Sequence, residues 1–322
     1  MNKMRFFIFI FLVFSCDFQK KTNSTGKSLE VILIQGQDCT DSTFDVFKNN
    51  FISPQSPLLE SEIYGEQKSF FRVIPILEKD FSSIFQTHKN IIFVNLEDAF
   101  SMQARKDLWA KNQNIYACSI DKNQLNNKNK IVNFAYNCAK KIKNNEILQR
   151  TIYYNKSTPA SIKNFLKDKY NLSISLPSRF FITDSTNTTL NLRGDTKKSS
   201  QRVLVSSFNL EPTIENIILE QNILAKKNIS SDVEGSFAVI EERTQLYIDT
   251  LLTSNNEKIN IKGIWKMQGD FMGGSFFTTL IVNPRNKKKT LISSYLYAPG
   301  ENKANYLLDL EAILQSTRYI NN

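Results

Sequence analysis

The sequence predicts an α+β protein: an N-terminal mixed α/β layer domain (29–155) followed by an antiparallel-sheet α+β domain (156–322) packed with helices. Two observations carry this. Short apolar segments alternate with helical patterns up to about residue 155, the mark of a layered α/β arrangement. Beyond that point strand patterns follow one another directly, which favours an antiparallel sheet with one face covered by helices.

Taken in order, LEVILIQ (29–35) is a short apolar strand, followed by a helix near Ser42 to Phe51. SFFRVIPIL (69–77) is the second strand, and DFSSIFQTH (80–88) reads as a helix turning into the strand NIIFVNL (90–96). RKDLWAKN (105–112) reads as irregular or helical before the strand NIYACSI (114–120). From Gln124 to Tyr154, Ile131, Phe134, Ala135, Cys138 and Ile142 recur at helical spacing, predicting a long amphipathic helix. No GxGxxG or P-loop follows these strands, so nucleotide binding has no support.

In the second half, STPASIKNFLKDKYN has a Ser cap and a Pro near its first turn, predicting a short helix. NLSISLP and RFFITD read as strands, and TLNLRG with RVLVSSF as a hairpin around GDTKKSSQ. Pro212 to Asn228 is helical, and so is Lys303 to Thr317, where Ala304, Leu307, Leu310, Ile313 and Leu314 form one stripe. Between them KINIKGIWKMQ alternates, placing Ile259, Ile261, Gly263, Trp265 and Met267 on one strand face. Gly263 leaves a gap for the Trp265 indole or a neighbouring element. GDFMGG then supplies a reversal: Gly269, Gly273 and Gly274 can take positive φ, and Asp270 can cap its own backbone in an Asx-turn. Gly269, Asp270, Phe271, Met272, Gly273 and Gly274 make up the candidate functional loop.

The chain opens with Lys3 and Arg5 before nine unbroken apolar residues, Phe6 to Phe14. That run suits a secretory signal and is far short of the roughly 20 residues of a membrane span. It ends VFSC, which looks like a lipobox: residues 1–15 are the signal and Cys16 the lipidated residue. Acyl chains contribute about 0.8 kcal/mol per buried methylene, so two or more anchor stably. Residues 16–28 read as the lipidated cysteine and a flexible polar tether, able to hold the body about 40 Å from the bilayer.

Loss of Lys3 and Arg5 with the signal takes the 41 basic residues to 39 against 31 acidic, a net +8. The lysines are scattered, without a basic helix face bearing aromatics, which together with an envelope address excludes nucleic acid as the expected partner. Lys287 to Lys289 is the one basic run, in a turn, and offers contact with anionic lipid. Cys39, Cys118 and Cys138 lack CxxC or metal-ligand spacing; one disulfide is open to them, in any pairing, and small buried apolar roles are open as well. His88 is the only histidine, so a His-based zinc site or a triad has little to build on. No cofactor or metal is expected.

VEGSFAVIEER, GIWKMQGDFMGGSF and SYLYAPGENKANYLLDLEAIL occur in that order. With the lipobox start and the passage near KDKYNLSISLP, they resemble a family of Bacteroidota lipoproteins defined by domain of unknown function 4837. The resemblance spans most of the chain, is most specific at GDFMGG and least in the N-terminal half. It implies an anchored, envelope-facing lipoprotein and no established activity. The host group implies a periplasm-facing body at the outer membrane, because DFQKK lacks an acidic export run, and O-glycosylation sites at Ser42 and Ser185.

Two functional readings follow. The first is a non-catalytic binding or structural lipoprotein that contacts an envelope protein, glycan or lipid through an exposed surface around Phe271, Met272, Phe276 and Phe277. The alternative is a carboxylate-dependent glycan hydrolase pairing Asp270 with Glu234, Glu241 or Glu242 across about 5–10 Å.

Overall fold

The computed structural model describes residues 21–52, 70–253, 256–283 and 285–320. The signal segment and Cys16 lie outside the described residues. The architecture is α+β, with two principal sheets and six helices among the described residues.

The first sheet contains β1 (Glu30–Gln35), β2 (Arg72–Leu77), β3 (Asn90–Glu97), β4 (Ser101–Lys106) and β5 (Asn114–Asp121), in the order β2-β1-β3-β5-β4. All pairings are parallel except that of β4, which runs antiparallel along β5. Sequence reading missed β4. Its side chains are half-buried or exposed, so SMQARK shows no apolar alternation. The DLWAKN that follows is an irregular turn, with Asp107 and Asn112 at φ 54° and 61°.

Helix α1 (Asp41–Phe51), whose Thr40 cap accepts from the Thr43 amide, covers one face of this sheet with α3 (Lys128–Ser157). The Phe47 ring stands 6.0 Å from both Phe51 and Phe134 in that layer. The other face has only a thin cover. A 3-10 turn (Glu78–Asp80), the one-turn helix α2 (Ser83–Gln86) and the loop after β4 bring Phe81, Phe85 and Trp109 over Ile32, Ile34, Ile91 and Ile115.

Residues 21–28, expected to belong to a flexible tether, are instead docked. The Ser24 and Thr25 amides donate to Lys111 O (2.9 Å) and Thr87 O (2.8 Å), and the Lys89 and Lys111 amides donate back to Thr25 O and Thr22 O, both at 2.8 Å. Gly26, at φ 82°, lies so close to the His88 imidazole that a Cβ there would collide with it. His88 is buried, its Nε2 3.0 Å from Glu30 Oε1, while Asn90 Nδ2 donates to Ser28 O at 2.7 Å. A polar sequence without period carries no signal for such a strap, because its bonds are made by backbone.

Helix α3 starts at an Asn127 cap and runs through residue 155 to Ser157. Thr158 closes it, so the expected Ser cap of the next helix is absent; α4 (Ala160–Tyr170) begins from Pro159 without a side-chain cap. Of NLSISLP only β6 (Leu172–Ser173) is paired.

The second sheet is antiparallel and eight-stranded. Its strands are β7 (Phe181–Ser185), β8 (Thr189–Asp195), β9 (Ser200–Ser207), β10 (Phe237–Ile240), β11 (Tyr247–Thr253), β12 (Asn256–Gln268), β13 (Gly273–Val282) and β14 (Lys289–Tyr297). The order is β10-β12-β13-β14-β9-β8-β7, with β11 also on β12. The β8–β9 hairpin turns at Thr196–Ser199, within the predicted stretch. Helix α5 (Ile214–Asn228) packs on one face and α6 (Ala304–Ser316) on the other; β15 (Arg318–Tyr319) then pairs with β6. Helices therefore cover both faces, not one. Adjacent residues show why: Phe276 packs with the α5 layer and Phe277 with the α6 layer, and both are fully buried.

The α6 layer also includes α1, α3 and the first sheet, so one apolar core runs from Val31 and Leu33 to Val203 and Phe277. Ten of the thirteen α6 residues are buried, well beyond the single predicted stripe.

Gly26→Val should undo the strap without disturbing the sheet beneath it. In hydrogen exchange, the Ser24 and Thr25 amides are expected to exchange at least ~10-fold faster while β3 keeps its protection. Unchanged protection at Ser24 and Thr25 would contradict this packing.

Candidate functional site

The predicted loop is the β12–β13 hairpin. Lys266 pairs with Gly273, and the Met267 amide donates to Met272 O at 2.7 Å, leaving Gln268 to Phe271 as the reversal. Of the three glycines only Gly269 has positive φ, 88°. Gly273 and Gly274 are strand residues needed for close approach, a correction to their expected role in the turn. A Cβ on Gly273 would stand 2.9 Å from Trp265 O, and one on Gly274 would collide with Leu296 O. Across Gly274 the Trp265 Nε1–H donates to Leu296 O at 3.1 Å, where the β13–β14 ladder has already ended at Phe276–Tyr295. Gly274 is thus the opening through which the indole satisfies a strand carbonyl.

The gap at Gly263 is filled from elsewhere. Its missing Cβ faces the Leu246 side chain and the Phe276 ring, the cross-strand neighbour. The expected face of β12 is observed: Ile259, Ile261, Gly263, Trp265 and Met267 are all buried.

Asp270 is half-exposed, and its Oδ1 accepts from the next amide, Phe271 N, at 2.7 Å. That bond reaches one residue on, not the two of an Asx-turn. Phe271 is fully exposed at the tip, while Met272 folds back against the Trp265 cluster. Phe276 and Phe277 are core residues. Of the expected apolar surface, one ring reaches solvent.

Of the three carboxylates expected to partner Asp270, one is held by cations of its own. Glu241 is buried, and the Arg243 guanidinium grips it with two bonds, Nε to Oε1 at 2.9 Å and Nη2 to Oε2 at 2.7 Å. Lys266 Nζ adds a third contact at 3.3 Å from β12. The Arg243 hydrogen bonds, outweighing burial and aided by Lys266, hold the Glu241 carboxyl down to about 2. A general acid needs the opposite shift. Glu234 and Glu242 are exposed, and the chain just after Glu234 lies beside the turn, where a Cβ on Gly269 would stand 3.6 Å from Ser236 Cα.

The remaining candidates are dispersed. Cys39, Cys118 and Cys138 are free, buried thiols; Cys118 Sγ lies 3.6 Å from Cys138 Sγ, and burial pushes the Cys39 thiol up to about 11. Ser42 and Ser185 are both exposed, at the start of α1 and the end of β7. Lys287 and Lys288 lie in the β13–β14 connection and Lys289 opens β14; Lys289 is turned back over the Phe208 ring and Lys287 is exposed.

Sequence reasoning missed a polar junction centred on α6. Glu311 Oε1 receives Lys143 Nζ from α3 at 2.8 Å and Lys262 Nζ from β12 at 2.9 Å. Burial alone would raise this carboxyl, but the two ammoniums outweigh it and hold it below its ordinary value. Two residues earlier, Asp309 receives Arg150 from α3, Tyr154 OH at 2.5 Å and Arg179 at 3.4 Å. Each carboxylate is therefore bound by a cation from α3 and a cation from the second half. The trace in sequence is an acid at two positions of the otherwise apolar stretch Leu307 to Leu314.

Family models match both halves. Residues 24–147 match one described as Domain of unknown function (DUF8532), and residues 159–316 match one described as Domain of unknown function (DUF4837). The second match carries the resemblance read from sequence, but over the C-terminal half and not most of the chain. No curated protein matches the chain.

The Glu241 pairing predicts an acid dependence. A folded-state value near 2 against 4.5 when unpaired means that its stabilisation is complete above about pH 4.5 and is lost as pH falls toward 2. The melting-temperature advantage of wild type over Glu241→Gln should be constant above pH 5 and shrink toward zero by about pH 2. A pH-independent difference would show that the pairing is not formed.

Proposed function

We propose that the chain is an envelope-anchored, non-catalytic binding or structural lipoprotein, held by an acylated Cys16 with its body facing the periplasm. The observation that supports the non-catalytic reading is the Arg243–Glu241–Lys266 cluster, which engages the one buried carboxylate among the three that could partner Asp270. His88 is likewise committed to Glu30 and the strap, and Asp270 to its own loop. The glycan-hydrolase alternative would have to pair Asp270 with Glu234 or Glu242, both exposed.

Phe271 supports the binding reading. An aromatic ring held entirely in solvent contributes nothing to the core, and the backbone beneath it is fixed by Gly274 and the Trp265–Leu296 bond. A rigid hairpin tip presenting one aromatic anchor fits a pocket on an envelope partner.

The test is made in cells on the full chain. Wild type should sediment with membranes and yield an N-terminal peptide carrying acyl mass on Cys16, while Cys16→Ser should be released. A photoreactive residue at 271 should give a discrete adduct in the membrane fraction that the same residue at exposed Tyr153 does not. A soluble, unacylated wild type would overturn the anchor, and equal labelling from both positions would overturn the docking role of Phe271.

A further inference from the structure

We infer that the strap end of the first sheet rests on the lipid headgroups of the leaflet that holds the anchor, so that the body lies on the membrane instead of swinging above it. The inference depends on the anchor reading and adds the orientation and the contact face. Its first support is reach. Backbone bonds from residues 22–25 fasten the chain to the body, and Lys21 Nζ donates to Asp107 O at 2.6 Å. From Cys16 to Lys21 the chain can extend at most about 18 Å, under half of what a free tether through Ser28 would allow.

The second support is what surrounds that point. The strap is bonded to the loop 107–113 and to Thr87, and Gln113 Nε2 ties the same loop to the Gln86 and His88 carbonyls. Ile84, on α2 beside this junction, is 76 % exposed and Leu108 39 % exposed. Trp109, next along the chain from Leu108, is half-buried, its ring 5.9 Å from Phe81. Partly exposed Trp with neighbouring aliphatic side chains suits the interfacial zone of a bilayer, where an amphipathic ring has both water and hydrocarbon within reach.

Charge agrees. Lys21, Lys106 and Lys111 are exposed around the strap against Asp107. The local balance stays positive, and each lysine near an anionic surface is attracted to it. An apolar centre with lysines around it, beside the emergence of a short lipidated arm, fits headgroups with anionic members better than it fits open solvent.

The chain has two tryptophans, and Trp265 is 2 % exposed in the core, so Trp109 can be read by itself. The full-length protein purified from envelopes is placed in vesicles of phosphatidylethanolamine and phosphatidylglycerol carrying lipids brominated near the headgroup. Trp109 emission, taken as the difference from Trp109→Phe, should fall about twofold. The double variant Ile84→Asp, Leu108→Asp should keep its melting temperature and its sedimentation with vesicles but lose the quenching. Protein that sediments with acylated Cys16 while Trp109 stays unquenched overturns the headgroup contact and leaves the anchor standing, as would a face occupied by a protein partner. A chain without acyl mass overturns the anchor reading, and this inference falls with it.

Discussion

Two carboxylates inside a buried helix set the terms for the rest of this fold. Helix α6 lies between α3 and the second sheet, and neither side offers water to Asp309 or Glu311. An unpaired buried carboxylate costs several kcal/mol, so each must meet cations when the helix docks. Those cations come from both halves: Lys143 and Arg150 from α3, Lys262 and Arg179 from the second half. The helix can reach its native surroundings only when both halves are in place. Polar pairing thus specifies the junction, while the continuous apolar core supplies its favourable burial.

The glycine-rich hairpin obeys a related rule. A strand carbonyl left over at the end of one ladder is satisfied by an indole N–H, and the route between them is open only because residue 274 has no side chain. The conspicuous composition of GDFMGG is accounted for by backbone reversal at Gly269 and close packing at Gly273 and Gly274. What packing does not account for is Phe271, and this is why the binding proposal rests there and not on Asp270.

Legibility in sequence followed periodicity. The faces of β12 were readable because the strand alternates cleanly over its length, and α3 because Ile131, Ala135, Cys138 and Ile142 keep one spacing. The second cover of the large sheet was not read, although SFFTTLIV is an unbroken run that must bury both faces. β4 and the strap escaped for a different reason: their bonds are between backbone groups, and their side chains are largely exposed. The junction at Asp309 and Glu311 was hidden because a charged residue in a helix ordinarily faces water, and only tertiary packing assigns these two an interior position.

Hydrogen exchange on β3 and β5 compared with β13 and β14 tests the central claim, that α6 with its paired carboxylates couples the halves. In wild type the two sheets should open with the same free energy, because neither can unfold without stripping partners from the buried acids. In Asp309→Asn, Glu311→Gln, with the cations left unpaired, the account predicts lower stability by about 3–5 kcal/mol and separate opening of the two sheets. Wild-type sheets that already open at different free energies, or a variant that leaves them coupled, would contradict it.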